Sequence, residues 1–286
     1  MELSLFLQGI VNGVMLGVFY ALIALGLSLI FGIMGIINFS HGQMYMLGGF
    51  AVYYLFSQLH LNYFAALILT MVLVGFIGAV FERIIFRPLG KEELNAFIAS
   101  LGLAWILEML AAIIFGPLDK NVPNPFKGVI HVIGVVFTIQ RLLTVLIGVG
   151  LVVSLYLFLM KSKTGKAIRA VAQNREVATL QGIDAGRVST LSFAIGCALA
   201  GAAGVLMTPA FVINPFIGSE IILKCFVVII LGGMGSIMCA LAGLLILGFI
   251  EGFGCLLFTI PVVTLITFIF IILILLFRPQ GLLGHG

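Results

Sequence analysis

KSKTGKAIRAVAQNREVATLQGIDAGR, residues 161–187, is the one long polar run in a chain that otherwise reads as hydrocarbon. It carries six of the fourteen lysines and arginines: Lys161, Lys163, Lys166, Arg169, Arg175 and Arg187. Membranes retain basic residues on their cytoplasmic side, so a basic island between apolar blocks fixes which face of the protein looks into the cell. Within the island, Ala167, Ile168, Val171 and Ala172 recur at helical spacing behind Thr164, which is predicted to cap that helix. A second short helix should follow. Asn174 caps it, Glu176 sits in its first turn where the macrodipole favours an anion, and Gly182 ends it in the left-handed conformation. Val177, Leu180 and Ile183 then project from one side. Helices this short are marginal in water. The stretch from Thr164 to Asp184 therefore reads either as a solvated loop resting on lipid headgroups or as a docking element for a soluble partner.

The flanking blocks set the class. Of 286 residues, 63% are hydrophobic and 8% charged, more apolar surface than a soluble fold can hide. The chain is a multispanning membrane protein. Its 35 glycines argue for helices in close contact, whereas a barrel would need short alternating strands, so the fold class is all-α, a polytopic membrane helix bundle. The net charge of +4 sits in loops, where lipid and topology account for it better than nucleic acid, and no basic and aromatic interleaving occurs. Cys197, Cys225, Cys239 and Cys255 all lie in apolar segments without Cys-x-x-Cys or paired histidines. They read as packing residues, with neither a disulfide framework nor a metal site. Glu2 and the lack of a leading basic cluster argue against a cleaved signal peptide.

Along the chain, the first span covers about residues 6–37, and Gly9, Gly13, Gly17 and Ala21 fall four apart on it, continued by Ala24, Ser28 and Gly32. This smooth stripe places the helix inside the bundle. NFSHG at 38–42 then breaks the apolar run, before 44–56 resumes it. The break reads either as an ordinary interhelical turn or as a broken helix beside a transport path, since irregular backbone at membrane depth must be buried in protein or line a wet cavity. Span 61–86 closes with Glu82, Arg83, Arg87 and Pro88, whose charges are expected to snorkel, and Lys91 extends a second basic loop. Span 97–115 contains Glu108, 116–140 reads as an irregular external loop, and 141–160 descends to the island. Beyond it, span 188–208 repeats the four-residue spacing at Gly196, Ala200 and Gly204. NPFIG at 214–218 makes a second break. A short span 221–231, a turn at 232–236, and spans 237–258 and 262–277 complete the membrane part, with a tail from Arg278.

The count is about nine spans, with the N-terminus outside and the island inside. A small-residue helix, Asn-x-x-x-Gly and a shorter helix occur from Gly9 and again from Val188. Five spans separate the two starts, and an odd offset is the signature of an inverted-topology repeat. Glu220 and Lys224, four apart, are expected to pair.

No nucleophile, base and orienter can be assembled, so no catalytic residue is assigned. KTGKA at 163–167 lacks the glycine lead, the Ser/Thr and the preceding strand of a phosphate loop. Substrate-path candidates are Asn38, Ser40, His41, Glu108, Asn214, Glu220 and Lys224, with His41 reading either as a core histidine or as a substrate contact. An ion-coupled transporter would use Glu108, Glu220 and Glu251 instead, and a membrane scaffold without transport is a third class.

Several motifs in order carry a resemblance: YALIALGL at 20–27 with NFSHG, ER at 82–83 with RPL at 87–89, TGKAIRA at 164–170, LAGAAG at 199–204, LGGMGS at 231–236 and FRPQGLLG at 277–284. Together they are similar to the LivH-type permeases of bacterial branched-chain amino acid ABC importers, over nearly the whole chain. The resemblance implies one permease domain, 1–286, multi-pass in the inner membrane and surrounded by lipid. Its partners would be a LivM-type permease as heterodimer mate, two LivF/LivG-type ATPase subunits and a periplasmic binding protein. ATP-Mg would bind those ATPases, and this chain would carry no cofactor. Residues 161–187 would be the cytoplasmic coupling loop, with Thr164, Gly165, Lys166, Arg169, Asn174, Glu176, Val177, Leu180 and Gly182 at the ATPase contact. Glu108 and Cys239 depart from the family's usual Gln and Gly. The first bears on the cargo, because a charge at a helix centre costs about 2.5–3.5 kcal/mol and needs a partner or a cavity. Aliphatic amino acids are the expected cargo, with urea, short amides or aromatic acids as alternatives.

Overall fold

The computed structural model describes residues 2–90, 92–132, 135–232 and 237–277. Lys91, most of the turn at 232–236 and the tail from Arg278 lie outside the described residues. Those described form eleven helices and one small hairpin. The helices are α1 (Glu2–Met34), α2 (His41–Val52), α3 (Tyr63–Phe81), α4 (Glu93–Phe115), α5 (Ile139–Lys161), α6 (Lys163–Gln173), α7 (Arg175–Leu180), α8 (Ala185–Met207), α9 (Ile217–Gly232), α10 (Ile237–Leu257) and α11 (Ile260–Phe277). Five of them, α1, α3, α4, α5 and α8, are long and apolar enough to cross a membrane. In lipid every backbone polar group must be satisfied within its own segment, and helices meet that demand.

The connections follow local chemistry. Gly35, at φ +67°, ends α1 with its N–H on the Phe31 carbonyl. Asn62 caps α3 by accepting from the Phe64 N–H, and wider π-type turns over Glu82–Phe86 extend that helix to Pro88. The stretch 116–140 is more ordered than expected: β1 (Val129–Val132) pairs antiparallel with β2 (Val135–Thr138), Val129 opposite Thr138. Its β-branched residues suit a pleated strand, a signal that the Pro- and Asn-rich lead-in obscures. Lys120 and Ile213 exchange both backbone hydrogen bonds, at 2.8 and 2.9 Å, which ties this outer loop to the second break.

Small residues decide the packing. Over its spanning stretch α1 is 89% buried and α8 78%, whereas α4 and α5 are each 22% buried and turn apolar side chains such as Trp105, Ile113 and Leu146 outward. The first group forms the centre of the bundle, and the second offers the surface that suits lipid. Gly9 and Gly13 face Phe253 and Phe249 of α10, while Gly248 and Gly252 leave no room for a side chain against Gly17 and Gly13. Gly26 and Gly196 meet reciprocally: a Cβ on either would lie 2.6 or 2.7 Å from the other's carbonyl oxygen. Gly204 lies against α2 at Tyr45 and Gly49, and Gly201 against Val74 of α3. Gly32, expected to continue the stripe, faces nothing within 4 Å, although Ile30 and Ile33 beside it are buried.

The helix pairing has an exchange built into it. α1 packs on α10 and α8 on α3, while α1 meets α8 and α2 meets α9 directly. Of the four cysteines, Cys197 and Cys225 are buried as expected, but Cys255, near the end of α10, is exposed. The side chain of Cys239 lies outside the described residues.

Candidate functional site

Both breaks lie at helix starts, and those starts cross. Gly42 of α2 and Gly218 of α9 are in backbone contact: a Cβ at Gly218 would lie 2.7 Å from the Gly42 carbonyl oxygen, and one at Gly42 would collide with that of Gly218. Protein groups meet most of the polar demand of the first break. Asn38 Oδ1 accepts from the Ser40 N–H at 3.1 Å and from its hydroxyl at 2.6 Å, and the Phe39 N–H donates to Ser100 of α4 at 3.1 Å. His41 is fully buried and sits with Nε2 3.1 Å from the Ile23 carbonyl of α1, so this nitrogen donates. Burial and this bond favour the core reading of the two. Among the described residues, the amide nitrogen of Asn38 and Nδ1 of His41 are buried without a partner.

Beside the crossing stands a polar ring that sequence reasoning half missed. Gln43 Nε2 donates to Glu108 at 3.2 Å and to the Ser219 hydroxyl at 3.0 Å, and Ser219 donates to the same Glu108 oxygen at 2.5 Å. α2, α4 and α9 are thereby joined, and Glu108 has the partner that its depth demands. Gln43 and Ser219 each follow a break glycine directly, a signal that would have found them. The remaining path candidates do not assemble here. Asn214 caps its own turn at the Phe216 N–H and binds Asp119 of the outer loop at 3.0 Å. Glu220 is exposed.

The expected pair of Glu220 and Lys224 is corrected. Lys224 turns inward to Glu251 of α10, Nζ to Oε1 2.7 Å, and Tyr20 of α1 donates to the other oxygen of Glu251 at 2.5 Å. Spacing of i to i+4 put both residues on one side of α9, but Glu220 lies in its exposed first turn while Lys224, one turn further in, reaches Glu251 of α10.

At the other end lies the island. Ser162, not Thr164, caps α6: its hydroxyl oxygen accepts from the Gly165 N–H at 2.8 Å, and its backbone is extended as a cap requires. Thr164 is an exposed first-turn residue. Gly165 is wedged against the Phe158 carbonyl and Leu159, so only glycine permits this corner between α5 and α6. Ile168 and Val171 are buried in the main core, so α6 rests on its own chain rather than awaiting a partner; Ala172 is exposed. Asn174 caps α7 at the Glu176 and Val177 N–H groups, both at 3.0 Å, and Gly182, φ +83°, closes it. Val177 (52%) and Leu180 (85%) are exposed, whereas Ile183 folds back against the core. Lys163, Lys166, Arg169 and Arg175 are exposed beside them. Asp184 caps α8, and the Arg187 N–H, assisted by that residue's guanidinium, holds its carboxyl below the usual value.

The second basic loop is fastened to the same place. Glu82, expected to snorkel, is 1% exposed. Arg87 meets it with two hydrogen bonds of 3.2 and 3.1 Å and reaches on to the Gly186 carbonyl at 2.8 Å and to Thr190 at 2.5 Å, while Thr190 donates to Glu82 at 2.7 Å. The end of α3 is thereby clamped to the start of α8, next to the island.

Comparison with known proteins bears on this arrangement. The family described as the permease component of branched-chain amino acid transport systems matches residues 9–277. The permease protein BraD of the high-affinity branched-chain amino acid transport system of Pseudomonas aeruginosa is 35% identical, over 99% of this chain and 97% of that one. LivH of the corresponding system in Salmonella typhimurium is 36% identical, over 98% and 96%. A probable LivH of Methanocaldococcus jannaschii is 29% identical, over 92% and 88%. No solved structure matches. A buried pair of small-residue helices, two breaks that cross and a capped basic element thus stand within a likeness that runs the length of the chain, and the protein, a multi-pass membrane helix bundle, belongs to the branched-chain amino acid transport system permease family.

Proposed function

We propose that this chain is the membrane-spanning permease subunit of an ATP-driven importer that carries branched-chain amino acids across the inner membrane. The full-length likeness to BraD and LivH carries the reading. Residues 1–286 act as one permease domain. The subunit pairs with a second, LivM-type permease, receives cargo from a periplasmic binding protein and is driven by two ATPase subunits of LivF/LivG type, which hold the ATP-Mg.

Residues 161–187 form the cytoplasmic element on which an ATPase docks. Exposure of Val177 and Leu180 beside Lys163, Lys166, Arg169 and Arg175 supports this, because an apolar tip in a basic rim suits a partner surface better than open water. Burial of Ile168 and Val171 supports it too, since movement of α6 would then be passed directly to α1, α5 and α8. The crossing of α2 and α9, with Gln43, Glu108 and Ser219 beside it, is the place where the path opens and closes, and Asn38, Ser40 and His41 shape its first wall. Polar groups held by each other across three helices can be exchanged for a polar substrate group without exposing any of them to lipid.

Uptake of labelled leucine into proteoliposomes holding the reconstituted complex, with and without enclosed ATP, tests the reading. ATP-dependent accumulation that valine and isoleucine compete for is the expected result. Accumulation driven by an ion gradient without ATP would establish the secondary-transporter alternative. ATP-driven uptake of urea or short amides but not of leucine would overturn the cargo.

A further inference from the structure

Lys224 and Glu251 are a charge pair in the heart of the bundle: the Lys224 side chain is 15% exposed and that of Glu251 6%. Taking two charges out of water costs several kcal/mol, and apolar side chains of similar volume stabilise such a position about as well. Packing alone is therefore a poor reason for the pair. Its bonding is also incomplete. Lys224 offers three N–H donors and, among the described residues, meets only Glu251. Oε1 of Glu251 lies 2.7 Å from the ammonium but without the alignment of a hydrogen bond, while Oε2 is occupied by the Tyr20 hydroxyl. Tyr20, buried on α1, thus pins the carboxylate from one side and leaves its other oxygen to be shared.

We propose that Lys224 and Glu251 form a binding site for the zwitterionic head of a free α-amino acid, Lys224 receiving the carboxylate and Glu251 the ammonium. The inference rests on the reading that the chain carries amino acids. An α-amino acid bears both of its charges on one carbon, so it can enter between the two side chains and give each a new partner of the same sign as the one it loses. Charge contacts are exchanged rather than lost, and the site stays neutral, which offsets the cost of bringing a zwitterion into a low-dielectric region. Ile221, one turn before Lys224, and Leu247, one turn before Glu251, are buried in the core, so the pair is bordered by aliphatic side chains that suit an aliphatic cargo. Neutral amides present no such pair of charges and gain nothing from it.

The test uses the complete importer in proteoliposomes. In the double variant K224M/E251M, the subunits should insert and assemble as the parent does, while leucine uptake falls at least tenfold. Uptake within twofold of the parent would overturn the site. A second measurement keeps the matter decidable if the variant fails to assemble. Cys255 is exposed one turn beyond Glu251, so in a permease whose other three cysteines are replaced it reports on this face. Leucine should slow its reaction with a thiol reagent severalfold, and leucinol, which lacks the carboxylate, or isovalerate, which lacks the ammonium, should not. No slowing by leucine, or equal slowing by all three, would overturn the site. Uptake by the unaltered importer separates the two ideas: its absence sinks the importer reading, whereas its presence beside an unaffected double variant sinks only the site.

Discussion

Gly42 and Gly218 touch through their backbones at the crossing of α2 and α9, and neither has room for a methyl group. At Gly42 the atoms in the way are the Gly218 carbonyl and the Ile222 Cβ, which cannot move aside; at Gly218 they are the Gly42 carbonyl oxygen and the Gln43 side-chain amide, of which only the amide can shift. Gly42→Ala and Gly218→Ala should each destabilise the permease by about 1–3 kcal/mol, the cost of overpacking. Gly32→Ala, where the space is open, should be neutral or stabilising. Melting of the detergent-solubilised protein checks all three, and equal melting of the Gly42 and Gly32 variants would show that the contact is loose.

The ring of Gln43, Glu108 and Ser219 depends on one carboxylate oxygen. Glu108→Gln keeps an oxygen that accepts from both partners and should change stability little, whereas Glu108→Leu takes the acceptor from the Ser219 hydroxyl, leaves the Gln43 amide with Ser219 alone and should cost about 1–3 kcal/mol. A thermal series over Glu108→Leu, Ser219→Ala and the double variant should show the second loss shrinking once the first is made.

Arg87 supplies the fork that meets both oxygens of the buried Glu82. Arg87→Met leaves that carboxylate with Thr190 alone and should destabilise by about 2 kcal/mol, less than a fully buried pair would because the guanidinium side chain is 44% exposed. Arg87→Lys should lie between, since a lysine cannot hold Glu82, Gly186 and Thr190 together. Chemical unfolding of the three proteins orders them, and recovery in Glu82→Gln/Arg87→Met would identify the stranded charge as the cause.

The tip of α7 carries the coupling prediction. Val177→Glu or Leu180→Glu, both at exposed positions, should leave insertion and melting as in the parent while lowering transport-coupled ATP hydrolysis several-fold. Unchanged coupling in both variants would remove this surface from the ATPase contact.

The corner between α5 and α6 distinguishes two neighbouring hydroxyls. Ser162→Ala removes the cap and should cost about 1 kcal/mol. Thr164→Ala, at an exposed first-turn position, should stay within about 0.5 kcal/mol of the parent, and thermal melts compare them directly.

Where an expectation held, the deciding interaction spans a few residues. Asn174 and Gly182 were legible as the cap and end of α7 because each satisfies backbone groups within three residues of itself. Thr164 was misplaced because two hydroxyls two residues apart compete for one cap, and the choice follows from how sharply α5 turns into α6 at Gly165. The core around Ile168 and Val171 was missed for another reason: an amphipathic face shows that something covers it, not whether the cover belongs to the same chain.

Hydropathy alone determined that this protein is a bundle of membrane helices with two breaks, because lipid leaves a backbone few other ways to satisfy its polar groups. The side chains that meet at those breaks were decided only by tertiary structure. Gln43 reaches Glu108 across 65 positions and Ser219 across 176, and Arg87 reaches Thr190 across 103. Lys224 pairs with Glu251 rather than with its helix neighbour Glu220 because α10 brings a carboxylate 27 positions away against α9, a contact that no local spacing announces. Periodicity tells which residues share a face of a helix, but only the packing of the whole bundle tells what that face meets.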